Sequence, residues 1–123
     1  MHALIVDDST TIRLILRAYL KKLGFEVTEA VNGRDALDRL KAMSRADLVL
    51  VDWNMPEMDG ITFVRAVRAD DGYAALPLMM VTTNTERAQV SDALEAGANE
   101  YIMKPFTAEM IREKLEILGF LEQ

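Results

Sequence analysis

Cysteine is absent from the sequence, and the only histidine is His2. Without thiols the chain can form neither disulfides nor zinc–thiolate sites, and nucleophilic catalysis by sulfur is excluded. A single histidine close to the N-terminus argues against a histidine-based catalytic triad and against a phosphohistidine relay within this chain. We therefore expect no chemistry that depends on sulfur or imidazole groups of the chain itself.

Long apolar segments and an excess of positive charge are also missing. No apolar run is long enough to cross a bilayer, and the N-terminus lacks a basic stretch followed by a long apolar segment, so we expect a cytoplasmic protein. The 20 acidic residues outnumber the 14 basic ones and give a net charge of −6, which disfavours contact with phosphate backbones. We expect neither nucleic acid nor a membrane as a partner.

The composition is that of a compact folded unit. Half of the 123 residues are hydrophobic, which is enough for one core of ordinary size and leaves no room for a second domain. No linker, repeat or low-complexity segment interrupts the chain. The sequence thus predicts one domain over residues 1–123, without a fused output domain.

Short apolar runs alternate with helical patterns along the whole chain. Runs without polar alternation suit strands that are buried on both faces of a parallel sheet. The predicted strands cover residues 3–6, 25–30, 48–51, 78–81 and 101–103. Strict alternation with five helices predicts a doubly wound, flavodoxin-like (βα)5 fold with strand order 2-1-3-4-5.

The helices are predicted from apolar faces, caps and stops. Ile15 is expected to face inward from the first helix and Leu94 from the fourth, which would begin at Asn84 or Thr85. Asn32 and Thr107 are the expected caps of the second and fifth helices, and Gly24 and Gly97 the stops of the first and fourth. The pattern thus defines where each helix should begin, end and face the sheet.

Polar residues follow four of the predicted strands. Asp7 and Asp8 come after the first strand, Asp52 after the third, Thr82 after the fourth and Lys104 after the fifth. In an open parallel sheet the ligand site lies outside the carboxyl ends of the strands, so these residues can converge although they are distant in sequence. We expect them to form one site.

Three converging carboxylates would repel one another unless a cation joined them. An all-oxygen ligand set fits Mg²⁺, with Mn²⁺ as a substitute, and Mg²⁺ leaves coordination positions for phosphate oxygens. A carboxylate can itself be the nucleophile in phosphoryl transfer, with Lys104 and Thr82 contacting phosphoryl oxygens. Charge alone does not decide which aspartate reacts, and we assign Asp52 because it stands alone at the centre of the predicted sheet.

At these positions the chain closely resembles the receiver domain of two-component response regulators. The resemblance rests on four motifs in order and at matching spacing: VDDS at 6–9, LVDWNMPEMDG at 50–60, MVT at 80–82 and YIMKPF at 101–106. It also extends to the CheY-like single-domain subgroup, through DDSTTIR at 7–13, Trp53 beside Asp52 and an end just after the fifth helix. Together these motifs span essentially the whole chain.

The resemblance implies roles for individual residues. Asp52 would be phosphorylated by a partner histidine kinase, Asp8 and Asp52 would bind Mg²⁺ directly, Asp7 through water and Asn54 through its backbone carbonyl. Thr82 and Lys104 would contact the phosphoryl group, and the bond between Lys104 and Pro105 would be cis. Thr82 and Tyr101 would act as the switch, while Asn54 and Asn84 would tune the lifetime of the phosphoryl group. Thr83, where the family often has alanine or glycine, would restrict access of small phosphodonors or of water.

The resemblance also implies partners. They are a CheA-like histidine kinase, a downstream target such as a flagellar motor switch protein and, in addition, a phosphatase, with a monomer or weak dimer as the acting form. The signal would pass through the surface of the fourth helix, fifth strand and fifth helix, and motility control is the expected output. The protein would not be an enzyme beyond its own phosphoryl transfer and autodephosphorylation.

Other functions stay open on the residues alone. A phosphorelay shuttle would use the same site with a different recipient. A Mg²⁺-dependent phosphohydrolase would be expected to carry a second acid two residues after the nucleophile, where this chain has Asn54. A pseudo-receiver scaffold would usually lack an acidic position or the lysine, and this chain retains all of them.

Overall fold

The structure is a computed structural model that describes residues 1–83 and 87–121. It contains five strands and five α-helices in strict alternation, with a short 3-10 helix at Asp71–Tyr73 after the third helix. The strands are β1 (His2–Val6), β2 (Glu26–Ala30), β3 (Leu48–Asp52), β4 (Leu78–Thr82) and β5 (Glu100–Met103). The helices are α1 (Thr10–Lys22), α2 (Gly33–Ala42), α3 (Gly60–Arg68), α4 (Arg87–Ala96) and α5 (Ala108–Ile117).

All neighbouring strands are parallel, and their order is β2-β1-β3-β4-β5. This confirms the predicted fold class and strand order. The register pairs Val6 with Val51, Asp52 with Val81 and Thr82 with Met103, so the carboxyl ends of four strands lie along one edge of the sheet. Residues that follow these strands are therefore neighbours in space.

The sheet separates two apolar layers. Alternate residues of each strand point to opposite sides, so that Leu4 joins the layer covered by α2, α3 and α4, while Ile5 joins the one covered by α1 and α5. Both β3 and β4 are buried along their whole length. Burial on both faces explains why these strands show no polar alternation in the sequence.

Side-chain caps begin four of the helices. Predicted caps Asn32 and Thr107 accept hydrogen bonds from the main chain of α2 and α5, and Ser9 and Asp59 do the same for α1 and α3. Each cap satisfies an amide that has no partner inside the helix, which is worth about 1 kcal/mol. The predicted stops Gly24 and Gly97 have φ values of 93° and 121°, a region that glycine adopts without strain.

Two predicted core positions are wrong. Ile15 lies on the exposed side of α1, and Leu94 is 46% exposed on α4. On α4 the neighbouring Ala93 occupies the core, and the next residue of a helix is turned about 100° away from it. The predicted starts of α4, Asn84 and Thr85, lie outside the described residues. Within the described part of the chain, no helix has the length and apolar character needed to span a membrane.

Candidate functional site

The three aspartates converge where β1 and β3 end side by side. Asp7 and Asp8 follow β1, Asp52 closes β3, and one carboxylate oxygen from each lies within 4.8 Å of the others. Asp7 and Asp52 are buried, at 1% and 6% exposure, whereas Asp8 is exposed. The cluster thus combines two buried carboxylates with one that is open to solvent.

Main-chain hydrogen bonds hold Asp7 at the end of β1. Its amide donates to the carbonyl oxygen of Ala30 at 3.1 Å, and its Oδ1 accepts from the amide of Ser9 at 2.8 Å. Ser9 in turn caps α1 by accepting from the amide of Ile12. The turn that starts α1 therefore also orients the buried carboxylate.

Lys104 reaches the cluster from the edge of the sheet. Its Nζ lies 3.2 Å from Asp52 Oδ1 and 3.3 Å from Asp7 Oδ2. Because β4 separates β5 from β3, the long lysine side chain and the Asp52 carboxylate reach toward each other across the end of β4. The Lys104 amide donates to the Thr82 carbonyl, and the Lys104–Pro105 peptide bond is cis.

The groups around Asp52 shift its pKa in opposite directions. Burial raises the pKa of the Asp52 carboxyl, the charges of Asp7 and Asp8 add to this effect, and Lys104 opposes it. Ionised Asp52 is therefore held in a site that disfavours its charge. A group that adds positive charge there would be bound strongly.

Gly60 allows the chain after β3 to fold back over the site. Its amide donates to the Trp53 carbonyl at 2.9 Å, and a Cβ at this position would clash with the main-chain oxygen of Asp52. No side chain fits there. The close approach of Gly60 to Asp52 appears only in the structure.

The other predicted site residues lie on or just after β3, β4 and β5. Thr82 is buried at the end of β4, Thr83 is exposed beside it, and Asn54 is exposed in the turn after β3. Tyr101 is half-buried on β5, with the Lys114 Nζ 4.9 Å from its ring centroid. Asn84 falls outside the described residues.

The donor set fits a divalent cation. Two buried carboxylates and an exposed one supply oxygen ligands and net negative charge, which suits Mg²⁺ and, less selectively, Mn²⁺. The exposed side leaves space for water or a phosphate oxygen. The arrangement could therefore hold a metal ion between the chain and a phosphorylated ligand.

Comparison with known proteins identifies the family. The sequence matches the response regulator receiver domain over residues 3–116. The chain belongs to the response regulator receiver family. The match covers nearly the whole chain and agrees with the observed fold.

Receiver domains of chemotaxis proteins are among the similar proteins. Chemotaxis protein CheY1 of Helicobacter pylori is 45% identical over 119 residues, which are 96% of each chain. Chemotaxis protein CheY of Pseudomonas aeruginosa is 47% identical over 117 residues, or 94% of each. The solved structure of chemotaxis protein CheY4 from Vibrio cholerae has a TM-score of 0.89 at 36% identity and covers 94% of this chain and 96% of its own.

Sequence reasoning gave no site role to Arg13, which the structure places against the acidic pair of the receiver domain. Its Nη1 donates to the main-chain oxygen of Asp7 at 2.6 Å. The only signal in the sequence is a basic residue one turn into the helix that follows the acidic pair. Such a residue is more often a solvated helix position, so the pattern alone could not single it out.

Proposed function

We propose that the protein is a phosphorylation-activated response regulator that accepts a phosphoryl group on Asp52 from a histidine kinase in a Mg²⁺-dependent reaction. One observation carries the proposal: a buried carboxylate at the end of the central strand lies beside an acidic pair and is paired with a lysine ammonium. This is the charge arrangement that phosphoryl transfer to a carboxylate needs.

The residues would divide the reaction as follows. An oxygen of Asp52 attacks phosphorus and forms the new O–P bond, while the P–N bond of the donor phosphohistidine breaks and its electron pair returns to the imidazole nitrogen. Lys104, which is paired with Asp52 in the unphosphorylated protein, would move to one phosphoryl oxygen, and Thr82 would contact another. Bound Mg²⁺ would neutralise charge on the phosphoryl oxygens. Asp8, Asp52 and the Asn54 carbonyl would be its direct ligands, with Asp7 acting through water.

The output would be a change of surface and not turnover of an external substrate. Thr82 and Tyr101 lie on neighbouring strands, so movement of Thr82 toward a phosphoryl group can be coupled to the position of the Tyr101 ring. The surface of α4, β5 and α5 would then favour one of two states, which is a population shift biased by one covalent charge. A partner must prefer one state for the charge to carry a signal.

Motility control is the output that the comparisons favour, because relatives that match over nearly their whole length bear the name chemotaxis protein. The kinase would be CheA-like, and the target a flagellar motor switch protein. Asn84 would affect the lifetime of the phosphoryl group together with Asn54. A phosphorelay shuttle would instead pass its phosphoryl group to a histidine of a further protein.

The test is phosphoryl labelling by a small phosphodonor or a CheA-like kinase, read by the intact mass and by lability to hydroxylamine. We expect one phosphoryl group on the wild type in Mg²⁺, none in EDTA and none on Asp52→Asn. Asp38→Asn is the matched control, since Asp38 is an exposed aspartate of α2 outside the site. Labelling of Asp52→Asn equal to that of the wild type would refute the assignment.

Binding separates the functional alternatives. Beryllofluoride in Mg²⁺ should increase the affinity of the wild type for a purified flagellar motor switch protein and should leave Asp52→Asn unchanged. Transfer of the phosphoryl group to a histidine-containing protein, without such binding, would indicate a relay. Equal binding of the partner by both variants would indicate a scaffold that does not use phosphorylation.

A further inference from the structure

A largely buried arginine next to the acidic pair has no part in the reaction described above. The Arg13 side chain is 12% exposed and lies between α1, the end of β1 and the end of β2. Its Nη1 donates to the Asp7 carbonyl oxygen at 2.6 Å, its Nε to Glu29 Oε1 at 3.1 Å and its Nη2 to Thr10 Oγ1 at 3.3 Å. A planar guanidinium with several fixed donors can hold such a geometry, and an ammonium group cannot.

The oxygen that Arg13 contacts belongs to the peptide group between Asp7 and Asp8. Because the peptide is planar, its six atoms move together, and the direction of the carbonyl sets the course of the chain into Asp8. The contact is short and charge-assisted, and hence stronger than an ordinary main-chain hydrogen bond. Arg13 thus holds the peptide that orients the exposed carboxylate relative to the buried one.

The end of β2 secures this arrangement. The Ala30 carbonyl accepts the Asp7 amide, and the preceding residue, Glu29, holds the guanidinium of Arg13. The other oxygen of Glu29 binds Arg17 Nη1 at 2.9 Å. Both main-chain polar groups of Asp7 are therefore fixed by the last two residues of one strand, one directly and one through Arg13.

We propose that Arg13 is a positioning residue for divalent-cation binding, which acts by fixing the Asp7–Asp8 peptide so that the carboxylates converge. The inference rests on the proposed Mg²⁺-dependent function. Electrostatics alone predicts the opposite effect. A guanidinium near an acidic site repels a cation, so on charge alone its removal should strengthen Mg²⁺ binding. The sign of the change in affinity separates the two explanations.

The experiment is a Mg²⁺ titration followed by the fluorescence of Trp53, the neighbour of Asp52, well below the unfolding temperature. For Arg13→Gln we expect Mg²⁺ binding to weaken about tenfold or more, which is the usual effect of losing an outer-shell partner. Arg17→Gln is the matched control: it removes a charge from the same helix and the same Glu29, but not the contact with Asp7. Its Mg²⁺ affinity should stay within about threefold of the wild type, because this partly exposed ion pair does not contact the acidic pair.

Arg13→Lys distinguishes the effect of hydrogen-bond geometry from the effect of charge. It also provides the test if Arg13→Gln does not fold. It keeps the positive charge, but one ammonium cannot replace the fork that joins Asp7, Glu29 and Thr10, so Mg²⁺ binding should again weaken. Circular dichroism and urea unfolding of each variant verify that the titrated protein is native. Full Mg²⁺ affinity in Arg13→Lys, or equal or stronger binding by folded Arg13→Gln, would overturn the inference.

Failure of the underlying proposal looks different. If the wild type shows no saturable response to Mg²⁺ and no phosphoryl labelling, the proposed function fails and the role of Arg13 fails with it. If the wild type binds Mg²⁺ and is labelled on Asp52 while Arg13→Gln behaves identically, only the positioning role is refuted.

Discussion

Replacing Asp52 by asparagine should stabilise the metal-free protein. The substitution keeps the size and shape of the side chain but removes a charge from a buried cluster of three carboxylates. Since burial and the acidic neighbours raise the pKa of Asp52, its ionised form opposes folding. Without metal, the charge of Asp52 therefore lowers the stability of the folded protein, and the neutral asparagine side chain would remove this cost.

The expected gain is the balance of charge interactions and desolvation. At an effective dielectric constant of about 20, two carboxylates at the upper limit of 4.8 Å repel by about 3 kcal/mol. The attraction to Lys104 Nζ at 3.2 Å is about 5 kcal/mol on the same scale. Because Asp8 is exposed and its repulsion is partly screened, the pair terms nearly cancel, and the cost of desolvating the Asp52 charge dominates. We expect Asp52→Asn to raise the free energy of unfolding by about 2 kcal/mol at neutral pH.

Urea unfolding in EDTA measures this gain as a higher midpoint at an unchanged slope. Asp38→Asn, on the exposed side of α2, is the control and should leave the midpoint within error. In saturating Mg²⁺ the wild type should gain more stability than Asp52→Asn, because the ion binds the folded form through the carboxylate that the variant lacks. A variant no more stable than the wild type in EDTA would refute this account of the cluster.

The pH dependence provides an independent check. Because the pKa of Asp52 is raised in the folded state, that state holds more protons than the unfolded chain between the ordinary pKa of 3.8 and the raised one. The Asp52 contribution to stability in EDTA should therefore fall as pH rises through this window and stay low above it. The difference between Asp52→Asn and the wild type should grow over the same window and then level off. A difference that is independent of pH would contradict the assigned cause.

Three further substitutions test the site and the cap of α5. Lys104→Met leaves Asp7 and Asp52 without their cation, so in EDTA the free energy of unfolding should fall by about 3 kcal/mol in urea titrations, while Mg²⁺ affinity rises because no ammonium competes. Gly60→Ala should lower the free energy of unfolding by about 2 kcal/mol or more, because the added Cβ would clash with the Asp52 carbonyl. An unchanged urea midpoint would show that the turn can relax. Thr107→Ala should cost about 1 kcal/mol in the same assay through loss of the α5 cap, and a loss below a few tenths would argue that water replaces it.

Local signals in the sequence predicted the fold well. The runs around Leu50 and Met80 are apolar without alternation because both faces of β3 and β4 are covered, and this environment is visible in the residue types themselves. Asn32 and Thr107 are caps because short polar side chains satisfy the amides that begin a helix. Such effects act over a few residues and can be inferred without knowing the rest of the chain.

Errors arose where burial depends on a distant neighbour. Leu94 has the apolar character of a core residue, yet the small Ala93 faces the sheet on α4 and Leu94 turns to solvent. Ile15 is likewise left uncovered on α1. Periodicity shows that a helix has an apolar side. How much of that side the neighbouring elements cover depends on how they pack against it.

The order of residue types along the chain is enough to predict that acidic residues, a threonine and a lysine follow particular strands, and that these strands form a parallel sheet. The pairing of Lys104 with both Asp7 and Asp52, and the contact of Arg13 with the Asp7 carbonyl, are visible only in the folded molecule. Local conformation depends on neighbours along the chain, whereas strand order and register set which charges lie within a few ångströms of one another. The energetics of the site depend on those distances.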